Sequence, residues 1–270
     1  MENMIEVLKK KRIVIYGTGH VGHKFYKVLK QNGLEKQIVC FARTGDVQAG
    51  ETLDGTEVHC FEEIPVGENM LVCLAVHESL RDEIEEIVRQ KTKEYVWIYP
   101  HLYDLMLGMP KEKGVELAVE TLLRGFRKDL RLGVRLAAIE QQDGINDFGF
   151  DCYIRAQMLH CSEATAAKRL KQFMEMIERW KQSGYDRSGR IAVTRRLEVI
   201  DGNHRLAMAV YTGQRSIYGD IYPTELSFQD IHGYEPMQTR ELLSKHGFTP
   251  EDIQKLERIQ KRYVNAYGIE

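Results

Sequence analysis

The chain lacks any apolar run long enough to cross a membrane. Its longest, Met70–Val76, has seven residues, where a spanning helix needs about 20. The opening MENMIEVLKKKR holds no apolar stretch before a small-residue cleavage site, so no signal peptide is expected and the expected location is cytoplasmic. The chain also lacks an excess of charge of either sign, with 38 Lys and Arg against 40 Asp and Glu and a net charge of −2. No basic stripe marks a nucleic-acid face, and DNA is not an expected partner. Cysteine is scarce. Cys40, Cys60, Cys73, Cys152 and Cys161 are odd in number and include no C-x-x-C pair, which excludes a disulfide framework and a zinc-finger site and points to buried free thiols. No G-x-S-x-G, H-E-x-x-H or G-x-x-x-x-G-K-[ST] motif occurs, so serine-hydrolase, zincin and P-loop chemistries lose their usual support. There is no internal repeat and no low-complexity tract.

What remains is an ordinary globular chain of 270 residues, 43% hydrophobic and 29% charged. At about 150 residues per domain this suggests two domains, and the pattern places the boundary at 108/109. Arg12–Tyr16, Gln37–Ala42, Met70–Val76 and Tyr95–Tyr99 are short apolar, β-branched or aromatic runs, each a predicted strand. Between them, Val21, Phe25, Val28 and Leu29, and later Leu80, Ile84 and Ile87, recur at helical spacing. Strands alternating with helices imply an α/β domain with a parallel sheet covered on both faces.

Residues 109–270 read as an α+β domain entered through a bridge. Lys111–Glu140 is expected to be mostly helical and to link the domains, and Asp143–Gly149 is a turn-rich break. Ser162 caps a predicted helix to about Lys181. Ile191–Ile200 reads as a hairpin with Arg195-Arg196 at its tip, Asn203–Tyr211 as a helix and Ile217–Tyr222 as a strand. Two helices close the chain, the second with Thr249 as cap, Pro250 in the first turn and Asp252 at the capping-box position. This pair imitates a helix-turn-helix, but Glu251 and Asp252 at the start of the second helix would repel DNA phosphates. Arg124, Arg127, Arg131 and Arg135 recur at helical spacing and are read as a solvated face. Asp143, Asn146 and Asp147 are read as a solvated turn rather than a metal site.

Two motifs carry chemistry. The first is Gly17-Thr18-Gly19-His20-Val21-Gly22, between a predicted strand and helix. Glycines there allow a tight turn, close approach of a pyrophosphate and close helix–strand packing, with the helix N-terminus facing the phosphate. The acidic residue that an NAD site uses on its ribose is missing. Phe41-Ala42-Arg43-Thr44 stands at that position, and Arg43 suits the 2′-phosphate of NADP. This region resembles the truncated Rossmann-like domains at the front of sugar-modifying and glycan-biosynthesis proteins.

The second motif is Asp201-Gly202-Asn203-His204-Arg205. A strand ends at Val199-Ile200 and a helix begins near Asn203, so these polar residues gather beside unsatisfied backbone N–H groups. Anions bind there for electrostatic reasons. Arg205 can clamp phosphate oxygens, His204 can move a proton near neutral pH, and Asp201 can hold a divalent metal or orient a hydroxyl. The bland alternative is that Asp201 merely caps the helix. The stretch resembles the signature of the ParB/sulfiredoxin superfamily, and most closely the D-G-x-H-R form of the free serine kinase type. The resemblance covers Gly184–Pro223. It implies that Gly202, His204 and Arg205 hold nucleotide phosphates and that Asp201 lies near the transferred phosphoryl group; Asn203, where that kinase has histidine, is read as a further nucleotide-binding residue. Asn203 replaces the reactive cysteine of sulfiredoxin, which argues against sulfinic-acid repair. A glutamate serves the kinase as general base, and Glu140 is the candidate for it here.

The expected function is nucleotide-dependent phosphoryl transfer to a small polar molecule, in sugar or surface-glycan metabolism, using ATP or another nucleoside phosphate with Mg2+. A non-catalytic nucleotide sensor and an NAD(P)-linked enzyme working through Gly17–Gly22 are the alternatives. A homo-oligomer is compatible with the sequence.

Overall fold

The computed structural model describes residues 4–231 and 236–269. The chain is mixed α/β and divides into two compact units, Met1–Gly108 and Met109–Glu270.

The first unit runs α1 (Met4–Lys9), β1 (Arg12–Tyr16), α2 (His20–Gln31), β2 (Ile38–Arg43), β3 (Thr52–Leu53), β4 (Thr56–Cys60), β5 (Met70–Leu74), α3 (Arg81–Arg89), β6 (Tyr95–Trp97) and α4 (Leu102–Leu107). Its six-stranded sheet has the order β3-β4-β2-β1-β5-β6. Every pairing is parallel except β3 with β4. The four predicted strands and the two helices between them are present, which bears out the covered parallel sheet. β1 shows why the sequence folds this way. Ile13 and Ile15 face Phe25, Leu29 and Leu102 on one side, while Val14 and Tyr16 face Phe61, Ile84 and Val88 on the other. A strand buried on both faces must be apolar throughout, and each such side chain contributes about 1.5–3 kcal/mol of transfer free energy. The short β3–β4 pair is an addition that the sequence pattern does not show.

The second unit runs β7 (Glu112–Ala118), α5 (Val119–Leu123), α6 (Arg131–Gln142), α7 (Gly149–Gln157), α8 (Glu163–Ser183), β8 (Ile191–Val193), β9 (Val199–Asp201), α9 (Asn203–Tyr211), β10 (Ser216–Ile221), α10 (Phe228–Ile231), α11 (Arg240–Lys245) and α12 (Pro250–Asn265). Its sheet has the order β7-β10-β8-β9, with β8 and β10 parallel and the other two pairs antiparallel. Ser162 caps α8 by accepting from the Thr165 N–H, and Thr249 and Asp252 form the expected capping box on α12.

Two expectations are corrected here. The segment 111–140 is not a helical bridge. Glu112–Ala118 is the edge strand β7, and α6 is the central helix of this unit, buried at every position from Arg131 to Glu140. An edge strand with only Leu117 buried shows too little alternation to be read from sequence. Nor is the arginine row a single solvated face: Arg124 and Arg127 are exposed, but Arg131 and Arg135 are buried.

Contacts between helices order this unit. Tyr211, ending α9, donates to Asp143, just past the end of α6, at 2.5 Å. α6 and α9 therefore pack together with their C-terminal ends adjacent. Gly149 opens α7 against the Ala137 carbonyl, where a Cβ would come within 2.0 Å, and α7 ends near the start of α6, since Gln238 donates to the Ala156 carbonyl and accepts from the Leu130 N–H. α7 thus runs antiparallel to α6. α12 is pinned to α6: Gln260 accepts from the Gly133 N–H at 2.7 Å, and Asp252 pairs with Arg155 of α7.

Candidate functional site

The Asp201–Arg205 turn is built by one backbone angle. Gly202 has φ +93° and is itself the N-cap of α9. A Cβ there would lie 2.5 Å from Ile191 Cγ2 and 2.9 Å from its Cβ. Both the left-handed conformation and the close approach to β8 demand glycine. The N-cap of α9 is Gly202, which has no side chain to cap it, and Asp201 stands one residue before it. Asp201 is the last residue of β9, opposite Ala192 of β8, and half-buried. The first-turn N–H groups of α9 have no intrahelical acceptor by helix geometry. The Asn203 side-chain oxygen is buried and has no hydrogen-bond partner.

His204 and Arg205 diverge. His204 enters the protein: its Nε2 lies 2.7 Å from the Tyr153 hydroxyl, and its ring packs 4.5 Å from Phe173. Its place is fixed by α7 and α8, so the ring is oriented rather than mobile. Arg205 turns toward the loop before β8. Its Nε would lie 3.0 Å from a Cβ on Gly189. Asp186 nearby is held below the usual carboxylate range, first by hydrogen bonds from Ser188 and then by the Arg205 charge. Among the described residues the Arg205 guanidinium makes no hydrogen bond, so it keeps its donors for a ligand.

Glu140 is not brought to this turn. It is 2% exposed in the last part of α6, paired with Arg262 and accepting from Asn146 Nδ2 at 3.3 Å. Asp143, one turn on, marks the far end of α9, about 12 Å along the axis from Asn203 at 1.5 Å per residue. Glu140 is therefore corrected from candidate base to structural anchor. The acidic turn is structural too. Asn146 accepts from the Phe148 and Gly149 N–H groups and donates to the Ala137 carbonyl. Burial works to raise Asp143, but hydrogen bonds from Lys181 and Tyr211 and the Lys181 charge hold it below the usual range. Among the described residues no group of three or more His, Cys, Asp or Glu is arranged to hold a metal ion.

No protein-family model, curated protein or solved structure matches the chain. The functional reading therefore rests on geometry.

In the first unit, Gly17 follows β1 at φ +122°, and a Cβ there would lie 2.6 Å from the Ala75 carbonyl oxygen just past β5. A Cβ on Gly22 would lie 2.0 Å from the Gly17 carbonyl oxygen. The fold itself requires both glycines. Gly19 differs, since nothing lies within 4 Å of its Cβ position, and it is the glycine whose bareness the packing leaves unexplained. The loop lies at the carboxyl ends of β1 and β5, where the strand order reverses and open parallel sheets bind ligands. Arg43 is already engaged: its Nη2 contacts Glu51 Oε2 at 2.9 Å and the Asp46 carbonyl at 2.9 Å. The acid absent from the end of β2 thus arrives from the β3 side. The cavity lined by Arg12, Cys40, Glu57, His59 and Met70, about 470 Å³, includes the starts of β1 and β5, opposite the glycine loop. Burial pushes the Cys40 and Cys152 thiols up to about 11, far from nucleophilic thiolates.

Polar residues outside the predicted site set also pair in this unit. Asp129, fully buried, accepts from Arg131 Nε at 2.6 Å and from the Gln238 N–H at 3.2 Å. The Arg131 guanidinium lies 3.5 Å from the Phe228 ring centre. Arg169 donates to Gln157 Oε1 and contacts His160 Nε2, both at 2.9 Å.

Proposed function

We propose that the second unit is a ParB/sulfiredoxin-like domain that binds a nucleoside triphosphate at the start of α9 and transfers its terminal phosphoryl group to a small polar molecule. The observation that carries this reading is the start of α9 at the left-handed Gly202, flanked in the chain by Asp201 at the end of β9 and by Arg205, whose guanidinium makes no hydrogen bond among the described residues. Backbone N–H groups and Arg205 would hold the phosphates. Asp201 would orient the acceptor hydroxyl. His204, steadied by Tyr153, would fix the helix start and hold a proton close to the phosphates. Asp201 and the partnerless Asn203 Oδ1 offer the hard oxygen atoms that Mg2+ prefers, and phosphates and water complete such a shell. The ion would supply charge neutralisation on the phosphoryl oxygens.

A second ligand site is favoured by one observation, the open face of Gly19 at the point where the strand order reverses. We assign the first unit as Rossmann-like, with NADP preferred to NAD because Arg43 stands at the end of β2. Calorimetric titration of the full chain with ATP, CTP, ADP, NAD and NADP tests both assignments. A triphosphate is expected to bind and to be turned over when polyols, sugars or amino acids are supplied. Binding without turnover on any acceptor class would favour a sensor. For the first unit, Glu51→Gln is expected to tighten NADP several-fold and leave NAD unchanged, since it removes the anion competing for Arg43. Tight, selective NAD binding would overturn the Arg43 assignment.

A further inference from the structure

Among the described residues several buried side-chain atoms have no hydrogen-bond partner, and four of them, Arg131 Nη1, Gln157 Nε2, Gln238 Oε1 and Arg169 Nε, belong to residues joined by shared hydrogen-bond partners or by adjacency in the chain. Arg131, Gln157 and Gln238 are 4%, 2% and 1% exposed. Such groups are rare in folded proteins, because each costs about 1–3 kcal/mol of desolvation that no bond returns.

The four are not scattered. Gln238 joins Asp129 and Arg131 through its backbone N–H and reaches the Ala156 carbonyl through its side chain. Gln157 follows Ala156 and receives Arg169. Tyr153, one turn before Gln157, and Phe173, one turn after Arg169, both contact His204. Gln157 and Arg169 therefore lie about one helical turn from the two aromatic residues that contact His204. Three of the four atoms are N–H donors, two of them on guanidinium groups. Arg169 is only half-buried, which opens the run to solvent from the α8 side.

We infer that Arg131, Gln157, Gln238 and Arg169 form an oxyanion subsite, separate from the phosphate cradle on α9, that holds the phosphate or carboxylate group of the phosphoryl acceptor. Guanidinium and amide donors in a dry setting bind an oxyanion through charge-assisted bonds, and Gln238 Oε1 accepts from a neighbouring hydroxyl or ammonium group of the same ligand. The acceptor is on this account an anionic small molecule rather than a neutral polyol. Only the identification of the anion with the acceptor rests on the phosphotransfer reading.

The test is calorimetric titration of the full chain with inorganic phosphate and, separately, acetate, with and without a saturating non-hydrolysable ATP analogue. The wild-type chain is expected to bind one probe in the presence of the analogue, and the tighter probe tells a phosphate subsite from a carboxylate one. Gln157→Leu and Arg169→Gln are each expected to weaken that probe about tenfold or more, the scale of a lost charge-assisted bond, while analogue affinity stays within about twofold. Circular dichroism confirms the fold of each variant, and Arg131, which also holds Asp129, is left intact. Arg205→Ala is expected to do the reverse. Probe binding that is lost on Gln157→Leu in a chain that binds no nucleotide supports the subsite and ends the kinase reading. No probe binding by the wild-type chain, or probe binding that survives both variants and vanishes with Arg205→Ala, overturns the subsite.

Discussion

Asp201→Asn is expected to leave metal-free nucleotide affinity nearly unchanged and to abolish phosphoryl transfer, whereas Arg205→Ala is expected to lose affinity itself. The two residues flank the same turn but offer different chemistry. Asp201 brings a charge at the end of β9, needed where a hydroxyl must be oriented or Mg2+ held. Asparagine keeps its size and polarity and removes that charge. Because Gly202 is the N-cap and asparagine keeps the size and polarity of aspartate at the end of β9, the substitution is expected to leave α9 intact, and the melting temperature should barely move. Arg205 has no hydrogen bond among the described residues to lose, so Arg205→Ala should cost little stability. It should weaken nucleotide binding by more than about 1.5 kcal/mol, roughly tenfold in Kd. Titration calorimetry and a coupled turnover assay read the two effects separately. If both variants bind nucleotide as the wild type does, the turn is only a structural corner and the kinase reading fails.

The second large effect is on stability. Gly202→Ala should destabilise the second unit by at least about 3 kcal/mol, combining backbone strain of about 1–3 kcal/mol with overpacking of similar size. The added methyl would meet Ile191 at 2.5 Å, and Ile191 is 1% exposed in the core beneath the turn. For a unit of this size the midpoint of thermal unfolding should fall by roughly 6–12 °C. Ile191→Ala in the same chain removes the Cγ2 atom in the way, so the double variant should lose less than the sum of the single losses. Strict additivity would mean that the left-handed angle alone, and not the approach to β8, requires glycine.

Both experiments concern a turn that was legible before any fold was known, because the chemistry of Asp201–Arg205 is packed into five consecutive residues. The elements that could be read were those whose evidence is local. β1 announces itself by four consecutive buried residues, α12 by a capping box within four positions, and β9–α9 by an apolar run meeting a helical period across a glycine. The sequence alone therefore determined the alternating α/β order of the first unit, its four main parallel strands and the strand–turn–helix that bears the candidate site.

The tertiary structure decided everything that depends on which distant segment comes to rest against a given side chain. Arg131 and Arg135 look solvated because charge at helical spacing normally faces water, and they are buried because α7, α9 and α12 close around α6. Arg43 looks free for a phosphate until β3 and β4 fold back and bring Glu51 against it. Glu140 sits in sequence beside an acidic turn and in space beside Arg262, 122 residues later. His204 carries a motif position by its number in the chain, but Tyr153 and Phe173 decide where its ring points. Propensity and periodicity report one segment's preference for water or core. The burial of a charge, and the partner it finds, are set by packing between segments far apart in the chain.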